Sequence, residues 1–399
     1  MTAKHWTIII CGSIIVMVAM GVRQSFGLFV QPVGMDLAVG RDVMGLAIAI
    51  SNLVFGLVQP VVGAIADRYG AGRVIVGGTI IYIAGLLLMA VSADPLQLHL
   101  TLGVLTGLGL AGTTYVVVLG AIGRAVPLEH RSRAFGVATA VGSFGMFALV
   151  PGTQALINQV DWQGALVALS IMLSVMAVLA YSLSGKPQAA DDAGPDQSLG
   201  MAVRVAFQHR GYWLLNAGFF VCGFHVTFMA VHYQPYLLDQ GVTAFDAALG
   251  FAMIGLFNIF GSLFFGELGG RYRKKYLLSF LYVARAVAIA VFLMLPVTAT
   301  TGIIFGAVIG FLWLATVPLT SGLVGQIFGT RYLSTLYGVV FLWHQVGSFF
   351  GAWLGGEVFE RFGSYEPIWL ASIALGIVAA LIHFPIEDKP VTVPQGQTA

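Results

Sequence analysis

The sequence predicts an all-α membrane protein with twelve transmembrane helices in two six-helix repeats. Three observations lead there. Of the 399 residues, 58% are hydrophobic and only 9% charged, against about 25% charged in soluble domains. No water-soluble core needs so much apolar surface. The apolar residues fall into twelve runs, each near the roughly 20 residues that cross hydrocarbon as a helix. Short motifs in the first half return about 203 residues later.

The runs cover approximately 7–33, 43–66, 74–92, 97–121, 133–156, 163–184, 211–238, 246–267, 276–296, 300–325, 333–357 and 364–384. The first begins after Lys4-His5-Trp6 and reaches about Val33, too long for the apolar region of a signal peptide, so it reads as a span. Most gaps are short. The exception holds Lys186, Pro187, Asp191, Asp192, Gly194, Pro195 and Asp196, the composition of a linker. The expected organisation is an N-terminal six-helix bundle (1–184), a cytoplasmic linker (185–210) and a C-terminal six-helix bundle (211–399). With the N-terminus in the cytoplasm, 15 of the 19 basic residues fall on that side and only Arg41 and Arg361 on the other. That asymmetry is what the positive-inside rule demands, and it places both termini in the cytoplasm.

The repeats agree in detail. Gln31-Pro32 in helix 1 returns as Gln234-Pro235 in helix 7. Gly45 in helix 2 returns as Gly250 in helix 8. Gly142-Ser143-Phe144-Gly145 in helix 5 returns as Gly347-Ser348-Phe349-Phe350-Gly351 in helix 11. Duplicated bundles of this kind hold their ligand near the midplane between the repeats. In helix 4, Gly103, Gly107, Gly109 and Gly112 have the small-residue spacing that lets helices close on one another, and helix 5 is the expected neighbour.

Between helices 2 and 3 lies a charged hairpin with Gly63, Asp67, Arg68, Gly70 and Arg73. Charge of that density cannot lie in hydrocarbon, so it marks a membrane face. A second copy between helices 8 and 9 carries Gly266, Gly270, Arg271, Arg273, Lys274 and Lys275, with Gly270 where the first has Asp67. Twelve spans, a central linker and this loop resemble the major facilitator superfamily of secondary transporters over essentially the whole chain. The resemblance implies that helices 1, 4, 7 and 10 line a central cavity and that the protein is a monomer. It also implies that Asp67 pairs with charges near helix 11, for which Arg131, Arg133 and Arg331 are placed, to hold one access state. The gating set is then Gly63, Asp67, Arg68, Gly70, Arg73 and Arg271. The stretches around Arg23-Gln24 and His344-Gln345 are more weakly similar to bacterial relatives of the monocarboxylate and oxalate/formate transporters. The acidic-glycine-aromatic signature of helix 1 and a mid-span charge in helix 8 are missing.

Ionisable groups inside spans cost about 2.5–3.5 kcal/mol each on insertion scales and mark function. Here they are Arg23 in helix 1, Arg285 in helix 9, His225 and His232 in helix 7, and His344 in helix 11, with no deep Asp or Glu. Cations without buried carboxylates call for an anionic ligand, and the planar fork of Arg suits a carboxylate. The expected binding set is Arg23, Tyr115, His225, Asn258, Trp313, His344 and Gln345. Arg285, on a helix that the resemblance places at the periphery, suits a structural bond to a carbonyl, and His232, nearer the outer end, a gate or a satisfied surface-facing residue. If transport is proton-coupled, His344 or His225 carries the proton.

Cys11 and Cys222 both lie in apolar runs, which speaks against a disulfide framework or a zinc site. There is no phosphate-loop motif and no paired nucleophile and base. No cofactor, catalytic residue or metal ligand is expected, and no nucleic-acid partner follows from a net charge of +2. The reading is a non-enzymatic secondary active transporter of the inner membrane that moves a small organic anion, a monocarboxylate, by alternating access. Proton symport or anion exchange supplies the drive. A drug or metabolite exporter of the same fold and a ligand sensor without transport remain as alternatives.

Overall fold

Among the described residues twelve long helices follow one another. They are α1 (Ala3–Leu37), α2 (Arg41–Tyr69), α3 (Ala71–Ala90), α4 (Pro95–Gly123), α5 (128–159) and α6 (162–183). After a short helix at Leu199–Gln208 come α7 (Arg210–Asp239), α8 (Ala244–Arg271), α9 (Lys274–Met294), α10 (Ala299–Phe328), α11 (Leu333–Phe362) and α12 (Glu366–His383). The structure, a computed structural model, describes residues 2–126, 128–184, 199–329 and 333–391, with backbone alone at Asp67, Arg124, residues 128–133, Leu333 and Ser334. Among the described residues there is no strand. The helices α5 and α6 fold back on each other across two residues, Val160 and Asp161, the latter at φ 59°. Asp tolerates that left-handed conformation better than most side chains.

Three helices, α1, α4 and α10, are interrupted in mid-span. In α1 the helix tightens into a 3₁₀ turn at Phe26–Phe29. Gly27 sits there so close to the Ala230 carbonyl of α7 that a Cβ has no room. In α4 the helix breaks at Thr114, and Gln59 of α2 donates to the Ala111 carbonyl just before the break at 3.2 Å. In α10 it breaks at Trp313, ψ −81°. Backbone groups freed inside a bilayer must find protein partners, and here they do. The Arg285 guanidinium of α9 donates to the Leu312 carbonyl through Nε (3.1 Å) and Nη2 (2.7 Å) and also to the Trp313 carbonyl. The Leu314 N–H is received by Asn258 Oδ1 of α8 at 3.0 Å.

Glycines set the closest approaches. In α5, Gly145 lies against the Met17 carbonyl of α1. In α11, Gly347 and Gly351 lie against the Phe220 and Phe224 carbonyls of α7. The repeated motif therefore makes the same kind of contact in each half. The α4 glycines do not face α5. Gly103 and Gly107 meet Ile50 and Ser51 of α2, and Gly109 and Gly112 meet Tyr82 and Gly78 of α3. Small-residue spacing reveals a close approach and says nothing of which neighbour arrives.

Two seams join the halves, and both are closed along part of their length only. Gly45 and Gly56 of α2 touch Ala352 and Gln345 of α11, and Gly255 of α8 touches Met146 of α5. Farther along, Gly338 of α11, Gly136 of α5 and Gly266 of α8 have no described atom within reach of a Cβ, and Gly63 of α2 meets only Val116 of α4. Among the described residues the glycine contacts across the seams thus lie toward the end where Arg41 begins α2, and none lies toward the end that carries the N-terminus and the charged loops.

Candidate functional site

Arg23 is the last but one residue of the first α1 segment, directly before the turn that brings Gly27 onto α7. Its Nη2 donates to Asn52 Oδ1 of α2 at 2.5 Å, and the guanidinium lies 5.8 Å from the centre of the Phe55 ring. The Asn52 amide nitrogen donates to the Ile48 carbonyl at 2.9 Å, which turns its oxygen toward Arg23. Among the described residues no carboxylate pairs with Arg23. A narrow pocket opens beside it between α1, α2 and α7, with Gln24, Ser51, Asn52 and Thr227 among its polar walls. A cation in a low-dielectric setting without a counter-charge is costly. A small anion would supply that counter-charge, and a guanidinium can hold a carboxylate by a bidentate bond.

Of the seven residues expected to bind a ligand, Arg23 alone lines this pocket. The Tyr115 hydroxyl lies against Gly142 of α5, which also faces Val16 of α1. Asn258 and Trp313 meet at the α10 break. Asn258 also donates to Ser143 Oγ of α5 at 3.1 Å, and the Trp313 carbonyl accepts from Arg285. His225 turns to α12, its Nε2 2.8 Å from the Ser372 carbonyl. The His344 ring stacks on Phe341 with centroids 5.6 Å apart and leans on Phe219 at 4.8 Å. Gln345 is buried at the α2–α11 seam against Gly56, its Oε1 without a partner.

The Arg41 end is tied by a cluster that sequence reasoning did not assemble. Arg41 of α2 forms a bidentate pair with Asp239 of α7, Nη1 to Oδ2 at 2.6 Å and Nη2 to Oδ1 at 2.7 Å. Its backbone N–H donates to Glu360 of α11 at 2.8 Å, and Nη1 also donates to the Tyr365 hydroxyl beside α12 at 3.1 Å. The guanidinium lies 3.9 Å over the Phe359 ring. Gln31 of α1 donates to Asp239 at 3.2 Å. His232 of α7 is fixed between the Tyr365 hydroxyl (3.2 Å) and the Ala352 carbonyl of α11 (2.7 Å). The signal available in sequence was the isolation of Arg41 among so few basic residues on its side.

At the opposite end the first charged loop turns on Gly70, whose φ of 94° suits glycine. Gly63 faces Val116 of α4. Arg68 and Arg73 are exposed, Arg68 over the Tyr69 ring at 5.3 Å. The expected pairing of Asp67 with Arg131, Arg133 or Arg331 lies outside the described side chains. In the second loop Arg271 pairs with Glu267 one helical turn back. Arg273 grips Asp388, beyond α12, with Nε at 3.0 Å and Nη2 at 2.5 Å. Lys275 Nζ donates to the Ile386 carbonyl at 2.8 Å, and Gln326 Nε2 to the Asp388 carbonyl at 2.8 Å.

Residues 12–352 match the Major Facilitator Superfamily. The chain is 24% identical over 386 residues to an uncharacterized MFS-type transporter, YcxA, of Bacillus subtilis (strain 168), covering 92% of this chain and 91% of that one. It is 27% identical over 342 residues to monocarboxylate transporter 12 of Xenopus laevis (79% and 74% covered) and 26% identical over 395 residues to monocarboxylate transporter 13 of Rattus norvegicus (95% and 89%). The fold superposes with a TM-score of 0.77 on a bacterial homolog of the human lysosomal transporter Spinster in an inward-facing, unoccupied conformation, at 16% identity and with 96% and 94% covered. Long apolar helices, charged loops at one face and a match over most of its length agree: this chain belongs to the Major Facilitator Superfamily and is a multi-pass membrane transporter of a small molecule.

Proposed function

We propose that this transporter carries a small organic anion, a monocarboxylate, across the inner membrane by alternating access, with proton symport or anion exchange as the drive. The observation that carries the reading is Arg23, a half-buried guanidinium that faces the pocket with no carboxylate of its own among the described residues. The relatives named monocarboxylate transporters 12 and 13 support the same class. In this reading residues 1–184 and 211–399 rock as two bundles about the pocket, joined by the linker 185–210. Both termini and the charged loops lie in the cytoplasm, as the distribution of basic residues requires. The conformation is then inward-facing: the Arg41 cluster closes the outer side and the seams part toward the cytoplasm. The loop of Gly63, Asp67, Arg68, Gly70 and Arg73, with Arg271 in its second copy, acts when the cytoplasmic side closes. A coupled proton would ride on His344 or His225. Tyr115, Asn258, Trp313 and Gln345 are the further candidates for substrate contact.

The test is uptake of labelled acetate, lactate, pyruvate, formate and oxalate into proteoliposomes, with and without an inward proton gradient, by wild type and Arg23→Gln. Uptake of one acid that collapses in the variant is the expected result. Equal uptake by the variant, or none by wild type, overturns the assignment.

A further inference from the structure

The pocket has two sides that the repeat relates. Gln31 and Gln234 fix the offset between α1 and α7 at about 203 residues. At that offset Gln24 corresponds to Thr227 and Gly27 to Ala230, and all four line the pocket. It therefore sits where the same stretch of each repeat meets its counterpart, at the α1–α7 crossing. The first half contributes the charge, Arg23. From the second half the lining contains Val226, Ala230, Val231 and a single hydrogen-bonding side chain, Thr227.

Thr227 is 3% exposed, and its Oγ1 is buried with no hydrogen-bond partner. A threonine inside a helix ordinarily turns its hydroxyl to the carbonyl four residues back. Here that carbonyl, Gly223, already accepts from Ser348 Oγ at 3.3 Å. The other pocket hydroxyl is engaged elsewhere, since Ser51 Oγ is 3.2 Å from Thr106 Oγ1 of α4. Leaving a buried hydroxyl unsatisfied costs about 1–3 kcal/mol, so a ligand that satisfies Thr227 is favoured over one that leaves it bare. We propose that Thr227 is the substrate contact of the second half and selects carboxylates that carry a further hydrogen-bonding oxygen over those that do not. The carboxylate binds Arg23 on α1 and the second oxygen meets Thr227 on α7, so one small molecule bridges both halves.

This inference rests on the monocarboxylate reading. The experiment that separates the two compares lactate with propionate, three-carbon acids that differ by one hydroxyl, in proteoliposomes of wild type, Thr227→Val and Thr227→Ser. Val keeps the volume and removes the hydroxyl; Ser keeps the hydroxyl. Wild type is expected to take up lactate with a KM about tenfold below that of propionate. Thr227→Val should bring the two KM values together, and Thr227→Ser should restore the difference. A wild type that does not distinguish the acids, or a Thr227→Val protein whose KM ratio equals that of wild type, overturns the role of Thr227 and leaves Arg23 and anion transport standing. Wild type that takes up neither acid overturns the parent reading and this one together.

Discussion

Removing the Arg41 clamp should open the end of the molecule that is closed here. The perturbation is Arg41→Gln, with Asp239→Asn and the double variant completing a cycle. The pair is bidentate at 2.6 and 2.7 Å, with side-chain exposures of 15% for Arg41 and 28% for Asp239. Fully exposed pairs couple by about 0.2–1 kcal/mol, and buried hydrogen bonds to charged groups by about 1.5–3. This pair lies between them, so a coupling of about 1.5 kcal/mol follows, roughly a tenfold change in the population of the closed state. Electron–electron distance measurement reads it directly. Labels at Met35 and Phe245, both exposed at this end, report the gap between α1 and α8 in a protein whose half-buried Cys11 is replaced by Ser. Cys222 is buried and stays. Arg41→Gln should move the distribution toward longer distances, and Asp239→Asn should add little once Arg41 is gone. Distances unchanged by Arg41→Gln, or effects of the two variants that simply add, would refute the clamp.

Three other outcomes follow from the same contacts. Arg285→Met leaves the Leu312 and Trp313 carbonyls unpaired at the α10 break, at about 1–3 kcal/mol for each; the drop in Tm in detergent should exceed that of Arg285→Lys, and a Tm equal to wild type contradicts the role. Hydrogen bonding from Arg273 holds the Asp388 carboxyl below the usual carboxylate range; a depressed folded value means the docking is fully present above about pH 4 and is lost only as the pH falls below that. Limited proteolysis should therefore release the C-terminal segment of Asp388→Asn faster than that of wild type at neutral pH, while wild type resists until the more acidic range. Gly27→Val has no room beside the Ala230 carbonyl, so it should bias the protein away from the state closed at the Arg41 end, seen as longer distances between the same two labels.

How much of this was legible follows from what a bilayer does to a sequence. The spans, the repeats and the charged loop stood out because hydrocarbon demands long apolar runs and rejects a loop such as Gly63 to Arg73. Arg23 stood out for the same reason, as a charge set in an apolar run. Helix faces did not. A soluble helix advertises its buried side by an apolar stripe, but a span is apolar all round, since lipid and neighbouring helices ask for the same side chains. His225, His344 and Gln345 could therefore be placed in depth and not in direction, and they point to α12, to aromatic rings and to the α2 seam. Asn258 and Trp313 needed the α10 break, which lies in the turn before Pro318 and is held because Arg285 and Asn258 take up what it frees. The same reasoning explains why Thr227 was passed over and why it bears on function. A threonine in a membrane helix draws no notice when its hydroxyl is bonded within its own helix. It becomes a signal only when the Gly223 carbonyl is taken by Ser348 and the hydroxyl, in the same pocket as an Arg23 that has no carboxylate partner among the described residues, is left to something that is not protein.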